Sequence, residues 1–290
     1  MKSLKKYFSL AGGRKSGLSF ATFAICAIIL LAIPLQISCS DSGDDNGDSN
    51  PSETRPDPVK AALAEGVTYK NVDKLMIAVP GKEFSILATE VTQELYESVM
   101  GENPSNFKEE KNLPVEQVSW YDAVYFCNKL SAKCGLTSVY AVDGKLDVEK
   151  WGYAPHKGNK ITGTVSQNEK ASGYRLPTVE EWQYAAKGGQ EFKYSGSGNL
   201  DEVGWYSENS GDKTHPVAQK DPNGYGLYDM SGNVYEWSGG PYPNYSKIRY
   251  LCGGSWNYDA DYCEVGDKRE ADAYNASKDL GFRIVRSTGK

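Results

Sequence analysis

Histidine is nearly missing from this chain. Only His156 and His215 occur in 290 residues, which excludes a metal centre assembled from several imidazoles. His215, beside Pro216, reads as a loop residue rather than a ligand. A basic surface is missing too: the formal net charge is -6 and no Lys/Arg stripe runs through the folded part, which argues against nucleic acid as a partner. Apolar residues are almost absent from Ser40 to Pro58, so that stretch cannot bury enough surface to fold. Leu, Ile and Phe are absent between Asn257 and Ser277, which follows neither the helical nor the strand period. It reads as a loop displayed by a scaffold.

What is present begins with an address. Lys2, Lys5, Lys6, Arg14 and Lys15 precede an apolar run from Leu18 to about Leu35, and the run ends at Ser38-Cys39. A basic head followed by an apolar run is secretory-signal architecture, and a small residue before a lone Cys resembles the bacterial lipobox. Residues 1–38 are therefore expected to be a lipoprotein signal peptide, with Cys39 the lipidated first residue of the mature chain. Residues 39–65 are expected to be a disordered polar tether, and 66–290 one domain large enough to bury a core. The protein is expected to be exported and lipid-anchored, at the outer membrane or cell surface of a bacterium. Cys127, Cys134, Cys252 and Cys263 remain beyond the tether. Outside the cytoplasm they permit two disulfides in several connectivities, Cys127 and Cys134 being close enough in sequence for a local bridge.

Within the domain, Phe84 to Val91 reads as a strand and Thr92 caps a helix through Met100. Ser119 caps a second helix, Trp120 to Lys133, in which Trp120, Ala123, Val124 and Cys127 recur at helical spacing and belong to the core. Thr137 to Ser172, polar and broken by Gly and Pro, reads as hairpin and loop. Thr178 and Glu181 form a capping box for a helix that stops at Gly188-Gly189. At the far end, Gly253-Gly254-Ser255-Trp256 is a tight turn with an aromatic anchor. Phe282-Arg283-Ile284-Val285-Arg286 alternates apolar and basic residues as a half-buried strand does.

Four motifs then identify a family. Gly173-Tyr174-Arg175-Leu176-Pro177-Thr178 leads to Glu181-Trp182, and Asn223-Gly224-Tyr225-Gly226-Leu227-Tyr228-Asp229-Met230-Ser231-Gly232-Asn233-Val234-Tyr235-Glu236-Trp237 follows. With the Gly-Gly-Ser-Trp turn and Gly281-Phe282-Arg283, the order resembles the formylglycine-generating-enzyme, or sulfatase-modifying-factor, domain over roughly 67–287. The resemblance implies an α+β, heavily elaborated C-type lectin fold of low regular secondary structure, with a small antiparallel sheet and two main helices. It also implies a copper centre of two cysteines downstream of the Gly-Gly turn, but those places hold Tyr258 and Cys263. Soft copper needs both thiolates, so oxidation of a substrate cysteine is the alternative function and a non-enzyme the favoured one. A structural calcium site is implied at Asp229, Gly232, Val234 and Glu236, whose carboxylates are hard oxygen donors.

A second branch of this lectin fold, the C-terminal variable proteins of diversity-generating retroelements, is closer still, above all the variable lipoproteins of treponemes. Those proteins mutate Asn codons at their first two bases, and between Asn257 and Ser277 only Glu264, Lys268 and Glu270 are unreachable that way. The resemblance implies a variable region at about 253–286 and no catalytic residues. Its binding surface would be made by Trp256, Asn257, Tyr258, Asp259, Asp261, Tyr262, Asp272, Tyr274 and Asn275, with Trp256 leaning towards an anchor. Tyrosine gives contact area at low entropic cost and Asn and Asp give adaptable hydrogen bonds. The acidic residues bias the site towards a basic or hydroxyl-rich ligand. An open loop surface suits a protein or other cell-surface partner better than a small molecule.

Overall fold

In the computed structural model, residues 56–240 and 247–288 are described; the expected signal peptide, Cys39 and most of the expected tether lie outside them. The chain enters through helix α1, Pro58–Glu65, inside the segment expected to be tether. Asp57 caps its first turn, Pro58 stands at the first helical position, and Gly66 ends it at φ 84°. Proline lacks only an amide that a first turn leaves unpaired anyway. Val59 and Ala62 are buried in the main core, and the Tyr228 hydroxyl donates to Asp57. The domain therefore starts before residue 66, because one turn-forming cap and two apolar side chains suffice to dock this short helix.

Strands β1 (Met76–Ala78) and β2 (Phe84–Leu87) form a hairpin, and helix α2 runs Gln93–Met100 from its Thr92 cap to Gly101 in the left-handed region. Helix α3, Trp120–Lys133, carries a full capping box in which Ser119 and Asp122 satisfy each other's backbone amides. Such caps are worth about 1 kcal/mol each. Strands β3 (Tyr140–Val142) and β4 (Val165–Gln167) pair at the two ends of the polar excursion. After β5 (Tyr174–Arg175), helix α4 spans Val179–Lys187 with the Thr178/Glu181 box and Gly188 as C-cap. Helix α5 is a single turn, Leu200–Val203.

The second half is built on β6 (Tyr235–Trp237), β7 (Ile248–Cys252), β8 (Lys268–Asp272), β9 (Leu280–Gly281) and β10 (Val285–Ser287). Among the described residues there are two four-stranded sheets and one two-stranded sheet. One four-stranded sheet has the order β1-β2-β10-β5, the other β8-β7-β6-β9. All pairs are antiparallel except β6 with β9, which is parallel. The fold class is as expected, α+β, but the sheet is not single. Strand β8 also corrects the loop reading of 257–277: Lys268 to Asp272 pair with β7 over the whole length of both strands. Its residues are polar, so no hydrophobic alternation marked it; the partner strand imposes the pairing.

All four cysteines in the described residues are free. Cys127 lies in α3 and Cys134 is its C-cap residue two turns on, roughly 10 Å at the helical rise, too far for a disulfide.

Arg283 is the largest departure from the sequence reading. It is fully buried, and so is its partner Glu236. Nε and Nη2 donate to Glu236 at 2.7–2.9 Å, Nη2 also to the Tyr228 carbonyl, and Nη1 to the Leu87 carbonyl. Trp182 Nε1 donates to Glu236 Oε2 at 2.7 Å. The guanidinium thus ties β6 to the end of β2, and the regular strand begins only after it, at Val285.

Candidate functional site

The floor of the site is the Gly-Gly-Ser-Trp turn. Gly253 and Gly254 stand at φ 94° and 74°, where a side chain is strained. A methyl on Gly254 would lie 2.5 Å from Cys263 Sγ and 2.7 Å from the Tyr262 carbonyl oxygen, so glycine lets the following turn fold back onto it. Trp256 is buried. Its amide donates to the Asn233 carbonyl at 2.9 Å, its Nε1 to the Lys278 carbonyl at 3.1 Å, and Phe107 meets its ring edge-on at 5.7 Å. Trp256 anchors the segment's two ends together and presents no surface.

Above that floor, Asn257 is exposed and a 3-10 turn, Ala260–Cys263, brings Tyr262 beside Tyr258. The rings of Tyr258 and Tyr262 meet edge-on at 5.5 Å, and Tyr235 of β6 meets Tyr258 at 5.1 Å. The Arg269 guanidinium carbon lies 4.5 Å from the Tyr262 ring centre and 5.1 Å from that of Tyr258. Tyr235, Tyr258 and Arg269 border a recess of about 430 Å³ lined also by Asn275, Ser277 and Leu280. Burial pulls the Arg269 pKa down, but Tyr235, Tyr258 and Tyr262 together outweigh it and the pKa is raised, so the cation persists. Burial likewise pushes the Tyr235 hydroxyl up.

Of the residues expected to bind, Tyr258 and Asn275 line this recess and Tyr262 stands at its edge through the arginine. Tyr235 and Arg269 were missed. Tyr235 was in view as a motif residue, but only the parallel pairing of β6 with β9 brings it here. Arg269 carried no signal in the sequence, because the exposure that alternates along Lys268, Arg269, Glu270 and Ala271 follows from the pairing of β8 with β7.

The other expected residues do not converge. Asp259 accepts from Ser207 Oγ at 3.1 Å, and Asp261 pairs with Lys193 at 3.1 Å, which also pairs with Glu264 at 3.0 Å. Asp272 accepts from the Tyr274 hydroxyl at 3.0 Å, and Lys160 sits 3.8 Å over the Tyr274 ring. Tyr274 and Ala276 border a separate recess of about 270 Å³ with Ser119, Asp122, Tyr153 and His156. The cluster of acidic residues expected to favour a basic or hydroxyl-rich ligand therefore has no geometric centre. Three carboxylates have protein partners, and the group in the middle of the tyrosines is a cation.

Neither metal implied by the resemblance matches the residues. For copper, Tyr258 supplies a phenol where a thiolate is required. Cys263 is buried against Gly254, and burial pushes its thiol up to about 12, so it stands as a single protonated thiol with no second cysteine of the pair beside it. For calcium, Glu236 already has Arg283 on both oxygens. Asp229 accepts from the Ala218 amide at 2.8 Å, its other oxygen being buried without a partner. Among the described residues no group of three or more acidic, His or Cys side chains is gathered for a metal.

Comparison with known proteins gives the family. Residues 67–288 match the family model of the sulfatase-modifying factor enzyme 1-like domain. The chaperone protein LppX of Paenibacillus barcinonensis is 41% identical over 230 residues, which span 71% of this chain and 80% of that one. The inactive C-alpha-formylglycine-generating enzyme 2 of Mus musculus is 36% identical over 137 residues, 41% of this chain and 44% of the relative. Among solved structures, Treponema denticola variable protein 1 superposes with a TM-score of 0.64 at 35% identity, covering 73% of this chain and 91% of that one.

Proposed function

The chain belongs to the sulfatase-modifying factor enzyme 1-like family, and we propose that within it the protein is a binding module without catalysis. In this reading it is exported, held at the bacterial surface by a lipid on Cys39, and engages a protein or other cell-surface partner through the outer face of residues 257–277. One observation carries the proposal: the segment's backbone is fixed at Trp256, by β8 and at Asp279, while Tyr258, Tyr262, Arg269 and Asn275 stand where they can be exchanged. The Asp279 carbonyl accepts from the Tyr235 amide at 2.8 Å, which closes the segment onto β6. Aromatic and arginine side chains around a recess are the residue types that dominate binding energy at protein interfaces. The substitution of a copper thiolate by Tyr258, and similarity to a relative named inactive, support the absence of chemistry. Similarity to a relative named a chaperone is compatible with the same protein-binding face.

The decisive experiment exchanges residues 257–277 for the corresponding segment of a related protein. The chimera is expected to melt like the parent and to lose the parent's partner in pull-down from host-cell surfaces; retention of that partner overturns the proposal. Labelling cells with radioactive palmitate tests the anchor: Cys39→Ala is expected to abolish the label.

A further inference from the structure

The smaller recess beside Tyr274, of about 270 Å³, shares only Ala276 with the recess at Tyr258 among their described lining residues. Gln117 and Ser119 enter it ahead of α3, Asp122 from the first turn of α3, and Tyr153, His156 and Asn159 from the polar excursion between β3 and β4. It is smaller than pockets that hold drug-sized ligands, and its volume suits a single small ring. Gln117 and His156 stand at φ 60° and 58°. Left-handed backbone is uncommon outside glycine, and such strain gathers at ligand sites.

One hydrogen-bond donor is left over. Tyr96 is fully buried, and among the described residues its hydroxyl has a single partner, His156 Nε2 at 3.0 Å. A buried hydroxyl must place its proton, so it donates to Nε2 and the ring's own proton stands on Nδ1. Nδ1 is buried and has no hydrogen-bond partner among the described residues, and the whole side chain is only 10% exposed. Asp122 Oδ1 lies 3.7 Å from it, beyond hydrogen-bond reach. That carboxylate is already satisfied. Its Oδ1 accepts from the Tyr153 hydroxyl at 2.8 Å and the His156 amide at 3.1 Å, and its Oδ2 from the Ser119 amide and hydroxyl at 2.8 and 2.6 Å.

These groups fix the class of ligand. An orphaned N–H calls for an acceptor oxygen, which an ammonium lacks. No Lys or Arg is among the described lining residues, and a buried carboxylate 3.7 Å from the donor disfavours an anion. Gln117 and Asn159 carry amides that both donate and accept, which matches hydroxyl groups. The rings of Tyr153 and Tyr274 supply apolar wall. We propose that this recess binds one neutral polyhydroxylated ring, a monosaccharide free in solution or at the end of a glycan, with one of its oxygens accepting from His156 Nδ1.

The chain has only two histidines, so labelling the histidines of the full chain with nitrogen-15, in a detergent without a sugar headgroup, reads the site directly. Before any ligand is added, Nδ1 is expected to be the protonated nitrogen of His156. D-glucose, D-galactose and N-acetyl-D-glucosamine are the probes, with affinity in every variant measured by saturation-transfer NMR on the sugar. At least one is expected to shift the His156 signals saturably, with a dissociation constant on the order of 1 mM. Cyclohexanol, a ring of the same size with one hydroxyl, binds at least about tenfold more weakly, each lost hydrogen bond being worth about two- to tenfold. D-glucuronate binds no more tightly than D-glucose. His156→Asn, a residue type at home in the left-handed region, weakens binding about five- to tenfold. Asn159→Trp, at an exposed lining position, abolishes it, and tests the site even where His156→Asn impairs folding. Arg269→Ala, in the other recess, leaves it unchanged. Immobilised oligosaccharides ending in the bound sugar separate the sources: capture of the chain assigns a glycan terminus, and no capture a free sugar. His156 signals unmoved by all three sugars, a proton on Nε2, equal affinity for cyclohexanol, tighter binding of D-glucuronate, or full binding to Asn159→Trp each overturns the proposal. His156 and Asn159 lie outside residues 257–277, so this site and the surface reading fail separately.

Discussion

Arg283 and Arg269 belong to the same C-terminal stretch, and the molecule uses them in opposite ways. Arg283 is sealed in the interior with Glu236 on both of that carboxylate's oxygens and three backbone carbonyls within reach of its remaining nitrogens. Arg269 is half-buried and held by ring faces, which set no single direction for its donors. The first arrangement tolerates one residue type; the second tolerates many. Both arrangements occur beyond the turn at Trp256, Arg269 within β8 and Arg283 between β9 and β10.

The sharpest way to break that contrast is Arg283→Met. Removing one partner of a buried ion pair leaves the other uncompensated, which costs about 3–5 kcal/mol. The effect is compounded here because Glu90 and Asp229 lie close enough to feel the same guanidinium. The denaturation midpoint in urea should fall accordingly, or the domain should fail to fold. Arg269→Ala is expected to cost about 1 kcal/mol or less, the worth of an exposed cation–π contact. If the two variants lose similar stability, the division between floor and surface is wrong.

Gly254→Ala comes next. The added methyl would meet Cys263 Sγ and the Tyr262 carbonyl oxygen, and the backbone angle is unfavourable as well. Strain of this kind costs about 1–3 kcal/mol, read as a lowered melting temperature. Gly226→Ala, where nothing lies within 4 Å of an added methyl and φ is 81°, isolates the backbone share. Gly254→Ala should be the more damaging of the two.

Much of the scaffold was legible and the site was legible only in part, for one reason. Thr92, Ser119 and Thr178 cap helices through bonds to residues three positions away, so sequence carries the whole interaction. Asp57-Pro58 and Gly66 gave the same local signature for α1, hidden because the surrounding composition was polar. Arg283 reads as an exposed partner of an alternating strand because its carboxylate is 47 residues distant. Strand β8 has no apolar face, so only its pairing with β7 reveals it. Arg269 follows from β8, and Tyr235 reaches the site only through β9. Non-local pairing, not propensity, places the residues that the sequence alone missed.

A third test concerns the floor's dependence on pH. Glu116 is buried, accepts from the amides of Asn106 and Phe107, and so holds the loop whose Phe107 ring rests on Trp256. Burial outweighs those two bonds and raises its pKa from 4.5 to about 7. A carboxyl raised in the folded state favours folding while protonated. Its contribution is therefore fully present below 4.5 and is lost as pH rises through 7. Stability attributable to Glu116 should decline across that window. Glu116→Gln keeps a neutral acceptor for both amides and should flatten the decline, measured as the urea midpoint at successive pH values. A wild-type curve already parallel to that of the variant would show that Glu116 titrates elsewhere.

A modest expected change in stability also tests the surface most directly. Tyr258→Ser removes a half-buried ring that meets Tyr235, Tyr262 and Arg269 but supports no backbone beyond its own turn. Its amide still donates to the Ser255 carbonyl and its carbonyl still accepts from the Ser207 amide, so the chain path is kept whatever side chain stands there. The loss is limited to edge-on ring contacts, about 0.5–1.5 kcal/mol for an aromatic pair, and part of that is recovered as Arg269 becomes free to hydrate. The melting temperature should fall by only a few degrees, while an aromatic anchor truncated at an interface characteristically costs more than 1 kcal/mol of binding. Affinity for the surface partner should therefore drop by roughly fivefold or more with the fold intact, and Tyr258→Phe should recover most of it if ring area rather than the hydroxyl is recognised. A large loss of stability with unchanged affinity per folded molecule would assign Tyr258 to the floor, and the boundary between the two regions would move outward past it.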